Sequence, residues 1–411
     1  TFTMKKLLVK NIGLLATPEG KSAHRGEEQG KIKFLKDAWV LIEGGIIDSV
    51  GTGSVPAVEG AEVVDAGGHL VTPGLVDAHT HLIFGGWRQN ELGLKLHGAS
   101  YLDIQNAGGG IQSTTNATRQ ASEQELAAKA SKALDEMMGF GTTTVEAKSG
   151  YGLATEHELK ALEVIKDLND HHRMDLVATF MGAHLVPAEY KSNREEYVRL
   201  VCEEMMPKVK EQGIAKFCDV FCEADTFTVE ESRQVLEAGL KYGLRPKIHA
   251  DEIEAIGGSV LAGEIGAISA EHLIVCPPEG IASMAKGGTI ACLLPATSFN
   301  LGSTFAPARD MVNAGVAVAM ATDFNPGSCP SLNLQFVINL GCLKYKLTPE
   351  EVLTAVTLNG AAAIDMADQV GSVEAGKKGD LVIWDAPDLD YICYRVGSNL
   401  AKTVIKAGKV M

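Results

Sequence analysis

Short apolar segments alternate along the chain with longer windows in which apolar residues recur every three or four positions. Segments of four to eight mostly apolar residues, bounded by turn residues, are typical of buried strands. The longer windows, which include 123–138, 156–168 and 230–242, have the spacing of amphipathic helices. Eight segments are predicted to be strands of this alternating series: 75–82, 142–147, 176–181, 217–222, 246–249, 267–270, 289–294 and 316–322.

The order of these elements predicts the fold. Strands that alternate with helices pair in parallel, and eight such units close into a (β/α)8 barrel, so we expect an α/β protein of this type. Segments near both ends of the chain predict further strands between Gly-rich turns. Neither end alone can enclose a good core, which predicts one small β-sandwich built from both termini. The expected domains are 1–72 and 368–411 for the sandwich and 73–367 for the barrel.

Composition narrows the classes of partner. The 411 residues are 45% hydrophobic, enough for a large core, and carry a formal net charge of −15. We therefore expect neither nucleic acid nor an acidic membrane surface as a partner, because no basic patch is available for phosphate groups. The eight cysteines are scattered and neither end resembles a signal peptide or a membrane span. These features favour reduced thiols and a cytoplasmic location.

Two histidines are placed two residues apart, at the end of the first barrel strand. Because side chains alternate along a strand, His79 and His81 are expected on the same side, where both could bind one ion. His-x-His alone is weak evidence, but the carboxyl ends of other barrel strands carry similar residues, and these ends share one face. The residues expected to converge are His79, His81, His184, His249, His272 and Asp323. Imidazoles with one carboxylate suit a borderline ion such as Zn²⁺ or Fe²⁺.

The motifs at these positions resemble those of the amidohydrolase superfamily of metal-dependent hydrolases, and within it the imidazolonepropionase family. The superfamily likeness rests on 71–74 leading into His79-Thr80-His81, on His249 and His272, and on 321–323. The narrower likeness rests on five motifs: Gly-Gly-Gly-Ile at 108–111, Lys-Ser-Gly-Tyr-Gly-Leu at 148–153, His-Ala-Asp-Glu at 249–252, Ser-Ala-Glu-His-Leu at 269–273 and Asp-Phe-Asn-Pro-Gly-Ser at 323–328. The resemblance covers essentially the whole chain. The resemblance implies hydrolysis of the cyclic amide 4-imidazolone-5-propanoate to N-formimidoyl-L-glutamate, in histidine degradation.

The resemblance also implies roles for individual residues. One divalent or trivalent ion per subunit, zinc or iron, would be bound by His79, His81, His249 and Asp323. Asp323 would in addition accept a proton from the attacking water and pass it on. Glu252 and His272 would orient the ring nitrogens and stabilise charge that develops on the carbonyl oxygen.

A further set is implied to bind the substrate. Arg88 resembles the carboxylate-binding arginine of the family, and its planar fork matches a carboxylate. The full set of implied substrate-binding residues is Arg88, Tyr151, His184, Glu252, Asn325, Gly327 and Ser328. The resemblance also suggests a homodimer.

Two other classes of function compete with this reading. A deaminase of an aminoheterocycle would keep the metal-site residues but would not need Arg88 and Tyr151 to bind an anion. A non-catalytic barrel that serves as a binding protein would be expected to have lost ligand residues, and here each ligand position is filled. The glycines at 108–110 lack the spacing of a dinucleotide fingerprint and are expected to form a tight loop.

Overall fold

Two β-sheets organise the residues that this computed structural model describes, which are 4–411. The strands are β1 Lys6–Thr17, β2 Lys33–Glu43, β3 Ile46–Thr52, β4 Glu62–Asp65, β5 Leu70–Pro73, β6 Leu75–Asp77, β7 Thr142–Lys148, β8 Asp175–Ala183, β9 Phe217–Cys222, β10 Arg245–Ala250, β11 Ser269–His272, β12 Ile290–Leu293, β13 Val318–Met320, β14 Leu381–Trp384, β15 Ala401–Lys406 and β16 Lys409–Val410.

Helices separate most of the strands from β6 to β13. The α-helices are α1 Leu92–Leu96, α2 Tyr101–Asn106, α3 Ile111–Gln120, α4 Glu123–Gly139, α5 Thr155–His171, α6 Arg194–Leu200, α7 Met206–Gln212, α8 Val229–Lys241, α9 Gly258–Glu264, α10 Pro278–Gly287, α11 Pro295–Leu301, α12 Ala308–Asn313, α13 Leu334–Leu343, α14 Pro349–Ala355, α15 Leu358–Ala363 and α16 Leu389–Tyr394. Short 3-10 turns cover Gly26–Gly30, Gln89–Glu91 and Ala188–Tyr190, and a π-helical turn, Val201–Met205, joins α6 to α7.

The eight strands β6 to β13 form the predicted parallel barrel. They pair in chain order, each with the next, and the helices between them pack outside. The predicted (β/α)8 fold is therefore confirmed. The three predicted helices at 123–138, 156–168 and 230–242 correspond to α4, α5 and α8. A Ser or Thr side chain caps α4 and α8 at the N-terminus, and acidic residues follow in the first turn, as favourable helix starts require.

The barrel closes between the segments that follow β6 and β13. The backbone N–H of Asp323 donates to the carbonyl of His79 at 2.9 Å, and the N–H of His81 donates to the carbonyl of Phe324 at 2.8 Å. At the end of β6, buried Asp77 accepts from the backbone N–H and the hydroxyl of Thr322, at 3.0 and 2.6 Å. Because these single bonds replace a regular ladder, β6 and β13 are shorter than the predicted 75–82 and 316–322.

The second sheet combines strands from both ends of the chain, as predicted. Its order is β16-β15-β14-β5-β1-β2-β3, and β4 pairs with the first half of β1. This mixed sheet curls around a hydrophobic core of its own, as expected for the small β-sandwich built from both termini. Gly379 links the turn between β2 and β3 to the turn between β15 and β16, because its N–H donates to the carbonyl of Gly45 and its carbonyl accepts from the N–H of Gly408. The long strand β1 pairs with both β4 and β5, each along a different half of its length.

Strand β14 links the two units. Its side chains alternate, so Leu381 and Ile383 enter the core of the curled sheet while Val382 and Trp384 enter the core of the barrel. The indole N–H of Trp384 donates to Thr72 at 2.9 Å. The domain boundary expected after residue 72 falls within β5, and the division into domains stays a prediction. Within residues 4–411, none of the helices combines the length and the apolar character needed to cross a membrane.

The closing contact of the barrel predicts a local stability cost. Replacing Thr322 with Val removes the hydroxyl that donates to Asp77 and that accepts from the N–H of Phe324. We expect Thr322→Val to lower the free energy of unfolding by about 1 to 3 kcal/mol, because a buried carboxyl loses a donor. Denaturant titration of the metal-free protein measures it. Thr354→Val is the matched control, since that buried hydroxyl donates only within its own helix, to Glu350. Equal losses in the two variants would contradict a special role for the closing contact.

Candidate metal centre and substrate cleft

Four side chains from three strand ends meet at the carboxyl end of the barrel. His79 Nε2 lies 3.1 Å from Asp323 Oδ1, His81 Nε2 lies 3.4 Å from the same oxygen, and the Nε2 atoms of His81 and His249 are 3.3 Å apart. All four side chains are buried. The structure thus brings together the four residues expected to bind one metal ion.

Two carboxylates that sequence reasoning did not identify lie behind the histidines. Asp219 Oδ1 is 2.9 Å from His249 Nδ1, and Glu271 Oε2 is 3.2 Å from His79 Nδ1. A carboxylate at Nδ1 fixes the ring so that Nε2 turns to the centre of the cluster. For Asp219 the signal in the sequence was a charged residue inside the otherwise apolar strand β9, whereas Glu271 lies in the mostly polar strand β11.

The residues present fit a bound cation. Within the described part of the chain, His79 Nε2 and Asp323 Oδ1 are buried and have no hydrogen-bond partner. Burial by itself lowers the pKa of His79, but the carboxylates of Asp323 and Glu271 outweigh it and raise that pKa to about 9. Burial holds the pKa of His81 well below its usual range, which favours the neutral imidazole that a metal requires. The cluster attracts positive charge and offers nitrogen and oxygen donors to hold it.

Glu252 and His272 lie beside this cluster. His272 Nε2 is 3.8 Å from Asp323 Oδ2, and its Nδ1 is 3.6 Å from Glu252 Oε1. Burial, with the nearby charges of Asp323 and Glu223, raises the pKa of Glu252 well above its ordinary value. Burial lowers the pKa of His272 to about 3. Burial thus favours the protonated form of the Glu252 carboxyl and keeps the His272 imidazole neutral.

His272 and Asp323 also share an unusual backbone. Their φ angles are 76° and 57°, in the left-handed region that non-glycine residues seldom adopt. Asp323 is held there by its bond to His79, and its side chain accepts from Thr297 Oγ1 at 2.7 Å. Strain of this kind is typical of functional sites.

A cleft opens over the cluster. Arg88 lines it from the loop after β6, and its side chain is buried. Glu91 pairs with one edge of the guanidinium, with Nε at 3.0 Å and Nη2 at 3.1 Å, whereas Nη1 makes only a long contact of 3.4 Å with Thr114. Glu91 therefore fixes the direction of the fork, and the Nη1 side is the more weakly bonded edge.

Tyr151 and His184 form another wall of the cleft. The rings of His184 and His81 are stacked with centroids 5.0 Å apart, and Tyr151 lies 5.1 Å from His184. His184 Nδ1 is 2.9 Å from the carbonyl of Gly150. Burial lowers the pKa of His184 to about 3, so the ring is neutral.

One buried carboxylate holds the loop that carries Tyr151. Glu158 accepts hydrogen bonds from the hydroxyl of Ser149 at 2.7 Å and from the N–H groups of Gly150, Gly152 and Leu153 at 2.9, 2.9 and 3.2 Å. Four donors on one carboxylate leave this loop little freedom.

Comparison with known proteins agrees with this geometry. Residues 70–411 match the family model described as "Amidohydrolase family". The chain belongs to the amidohydrolase family. Its relatives include the imidazolonepropionase of Alkaliphilus metalliredigens (strain QYMF), which is 52% identical over 99% of this chain and 98% of the relative. The imidazolonepropionase of Alkaliphilus oremlandii (strain OhILAs) is 48% identical over 98% of this chain and 97% of the relative. The predicted family is therefore confirmed.

Among solved structures, a similar one is atrazine chlorohydrolase from Arthrobacter aurescens TC1 complexed with zinc. It has a TM-score of 0.73, covers 98% of this chain and 94% of its own, and is 18% identical. At that identity the likeness shows the amidohydrolase fold alone.

The loop after Asp323 differs in detail from what the amidohydrolase motif suggested. Asn325 Oδ1 accepts from the N–H groups of Gly327 and Ser328 at 2.9 and 2.8 Å, and its amide donates to the carbonyl of Asp323. These groups therefore bond within the loop, although Asn325 and Ser328 line the cleft. Gly327 lies against Arg88, where a Cβ atom would come within 2.4 Å of Nη1. Direct substrate contacts by Asn325, Gly327 and Ser328 stay a prediction.

The cleft also contains residues without any signal in the sequence. Helices and loops far apart in the chain bring Tyr101, Ile111, Phe221, Ile253 and Leu301 to its wall. They complete an enclosure in which the imidazole cluster and Arg88 face the same space.

The metal centre generates a test by substitution and chelation. His249→Ala should remove most of the bound metal, because it deletes one of four donors, and elemental analysis measures the loss. His171→Ala is the control, since that imidazole is exposed and pairs with Asp167, which is not part of the cluster. A strong chelator should remove the metal from the parent without unfolding it by circular dichroism, because the large apolar core does not depend on an ion. Full metal content in His249→Ala would contradict the assignment.

Proposed function

We propose that this chain hydrolyses the ring C–N amide bond of 4-imidazolone-5-propanoate and releases N-formimidoyl-L-glutamate, the activity of an imidazolonepropionase. One observation carries the proposal, which is that the histidine and aspartate cluster and the buried Arg88 line the same cleft. A cyclic amide with a carboxylate arm needs both features, one at each end. Relatives of about half identity over nearly the full length support the same activity.

We infer a zinc or iron ion held by His79, His81, His249 and Asp323. When bound, such an ion supplies a water that ionises near neutral pH and so becomes a nucleophile. Three imidazoles and one carboxylate suit either metal, and the donor set does not distinguish them. The zinc in the structure of atrazine chlorohydrolase supports a metal in this fold.

The remaining chemistry is proton transfer. Attack on the ring carbonyl carbon requires that water lose a proton and that the departing nitrogen gain one. Asp323, whose Oδ2 is fixed by Thr297, is the proposed acceptor of the first proton. The raised pKa of Glu252 favours its protonated form, which can donate to the ring or to its departing nitrogen. Neutral His272 can donate an N–H to the oxygen on which charge develops.

The propanoate arm is bound at the other end of the cleft. We propose that Arg88 binds its carboxylate through the edge that Glu91 leaves open, and that Tyr151 adds its hydroxyl beside it. His184 packs between Tyr151 and His81 and thereby sets the distance between the anion site and the metal site. The ring is then presented to the cluster in one orientation, which supplies much of the rate gain in such reactions.

The deaminase alternative is tested directly by the products. Purified protein given 4-imidazolone-5-propanoate should form formimidoylglutamate, and a panel of aminopurines and aminopyrimidines should release no ammonia. Ammonia release without ring opening would reject the proposal in favour of a deaminase. Neither reaction in metal-loaded protein would favour a non-catalytic barrel. The suggested homodimer stays a prediction from family resemblance, and sedimentation of the purified chain measures it.

Replacing the carboxyl groups of Glu252 and Asp323 with amides should have different effects on metal content and turnover. Glu252→Gln keeps an N–H donor but cannot transfer a proton, so we expect normal metal content and a kcat lower by about 10²- to 10⁴-fold. Asp323→Asn should lose metal as well as turnover. Glu254→Gln is the control, because this exposed carboxylate lies on the same loop. Metal analysis beside steady-state kinetics separates the roles, and an unchanged kcat for Glu252→Gln would leave that residue with a structural role only.

Arg88 gives the test of substrate identity. Arg88→Met should weaken substrate binding by about 2 to 4 kcal/mol, a rise in KM of roughly 30- to 1,000-fold, because a buried charge-assisted contact is lost. The variant leaves Glu91 buried without its cation, so Arg88→Met/Glu91→Gln is measured in parallel. An imidazolone without the propanoate arm should be a poor substrate for the parent and should respond little to either variant. If the parent and the variants prefer the ring with the propanoate arm to the same extent, Arg88 does not bind the carboxylate.

A further inference from the structure

Two lysines are completely buried inside the barrel, below the proposed metal site. Lys148 ends β7, Lys247 lies in β10, and both side chains have no exposed surface. Lysine is almost never fully buried unless it is paired. The proposed reaction uses neither amine, so their partners indicate what they do.

Lys148 forms the first of two parallel arms. Its amine lies 2.9 Å from Asp219 Oδ2 and also pairs with Glu146. The other oxygen of Asp219 contacts His249 Nδ1 at 2.9 Å. The carboxylate of Asp219 thus joins a cation on one side to a ligand imidazole on the other.

Lys247 forms the second arm in the same order. Its amine lies 3.8 Å from Glu271 Oε1 and donates to Ser269 Oγ at 2.9 Å, and that hydroxyl donates in turn to Glu271. The other oxygen of Glu271 lies 3.2 Å from His79 Nδ1. The carbonyl of Ala363 accepts from the amine at 2.7 Å and fixes it from the far side.

We propose that Lys148 and Lys247 are positioning residues of the metal site, which act through Asp219 and Glu271 to fix the rings of His249 and His79. Each lysine pins one carboxylate oxygen, so the other oxygen stays in place to accept from Nδ1 and Nε2 remains turned to the centre. The inference rests on the proposed metal site. The Lys148 arm is the more direct one, because its amine contacts the carboxylate at hydrogen-bond distance.

The charge of this buried layer makes the expected direction of the change in metal affinity a test of the proposal. In this buried layer two lysines face three carboxylates, Glu146, Asp219 and Glu271, and Asp323 adds a fourth. Removal of a lysine makes the layer more negative, so simple Coulomb attraction would tighten metal binding. Loss of positioning would weaken it, and the two effects have opposite directions.

The experiment measures zinc affinity of the metal-free protein by competition with a chromophoric chelator. Lys148→Met should bind zinc about tenfold more weakly or worse, since loss of a carboxylate behind a ligand histidine typically costs 10- to 100-fold in affinity. Lys247→Met should show a smaller loss. The matched control is Lys406→Met, a buried lysine of β15 that lies 2.7 Å from both Asp175 and Asp380. Melting of each metal-free variant records the structural cost.

The outcomes separate the proposal from a purely structural role. Similar losses of melting temperature in Lys148→Met and Lys406→Met, with weaker zinc binding in the first alone, support positioning. Unchanged or tighter zinc binding by Lys148→Met overturns it, while the proposed metal site stands. A parent that binds no zinc and no iron overturns both. If Lys148→Met does not fold, Lys148→Met/Glu146→Gln removes one unpaired carboxylate and is expected to give the same weakened binding.

Discussion

The closing seam of the barrel, between the segments after β6 and β13, is the constraint on which the site depends. The backbone groups of His79, His81 and Asp323 make the closing hydrogen bonds, and their side chains are three of the four proposed metal ligands. Closing the barrel therefore sets the spacing of these donors before any metal binds. The positive φ of Asp323 is tolerated because bonds on either side of the residue hold it there. The same residues thus close the barrel and supply proposed metal ligands.

Below this seam the interior of the barrel contains a layer of charged side chains, in addition to an apolar cluster that includes Val76, Phe217 and Ala319. The helices bury apolar side chains against the outer faces of the strands, whereas the inner faces of β7, β9, β10 and β11 present Glu146, Lys148, Asp219, Lys247 and Glu271. Charges in such a place are tolerated when each is paired and hydrogen-bonded. Here the pairs end on ligand imidazoles, so the arrangement that neutralises buried charge also orients the metal site.

The substrate cleft depends on loops that are fixed by single buried carboxylates. Glu91 holds Arg88, and Glu158 holds the loop of Tyr151 through four donors. Asn325 plays a similar part after Asp323, with its amide in place of a carboxylate. A preorganised cleft needs little rearrangement on binding, which suits a small and polar substrate. Glycine is required at position 327, because the loop lies so close to Arg88 that a Cβ atom there would come within 2.4 Å of Nη1.

The sequence by itself determined the elements and the face on which chemistry occurs. Apolar strands alternating with amphipathic helices predict a barrel, and residues at strand ends such as His79, His249 and Asp323 must then converge, because parallel strands end on one face. It did not reveal Asp219, Glu271 or Lys148, since a charge within a strand acquires a partner only when neighbouring strands pair. Nor did it indicate Glu91 or Glu158, whose donors lie on loops that only the folded chain positions. Local periodicity is a property of neighbours in sequence, whereas pairing of buried charge is decided by neighbours in space.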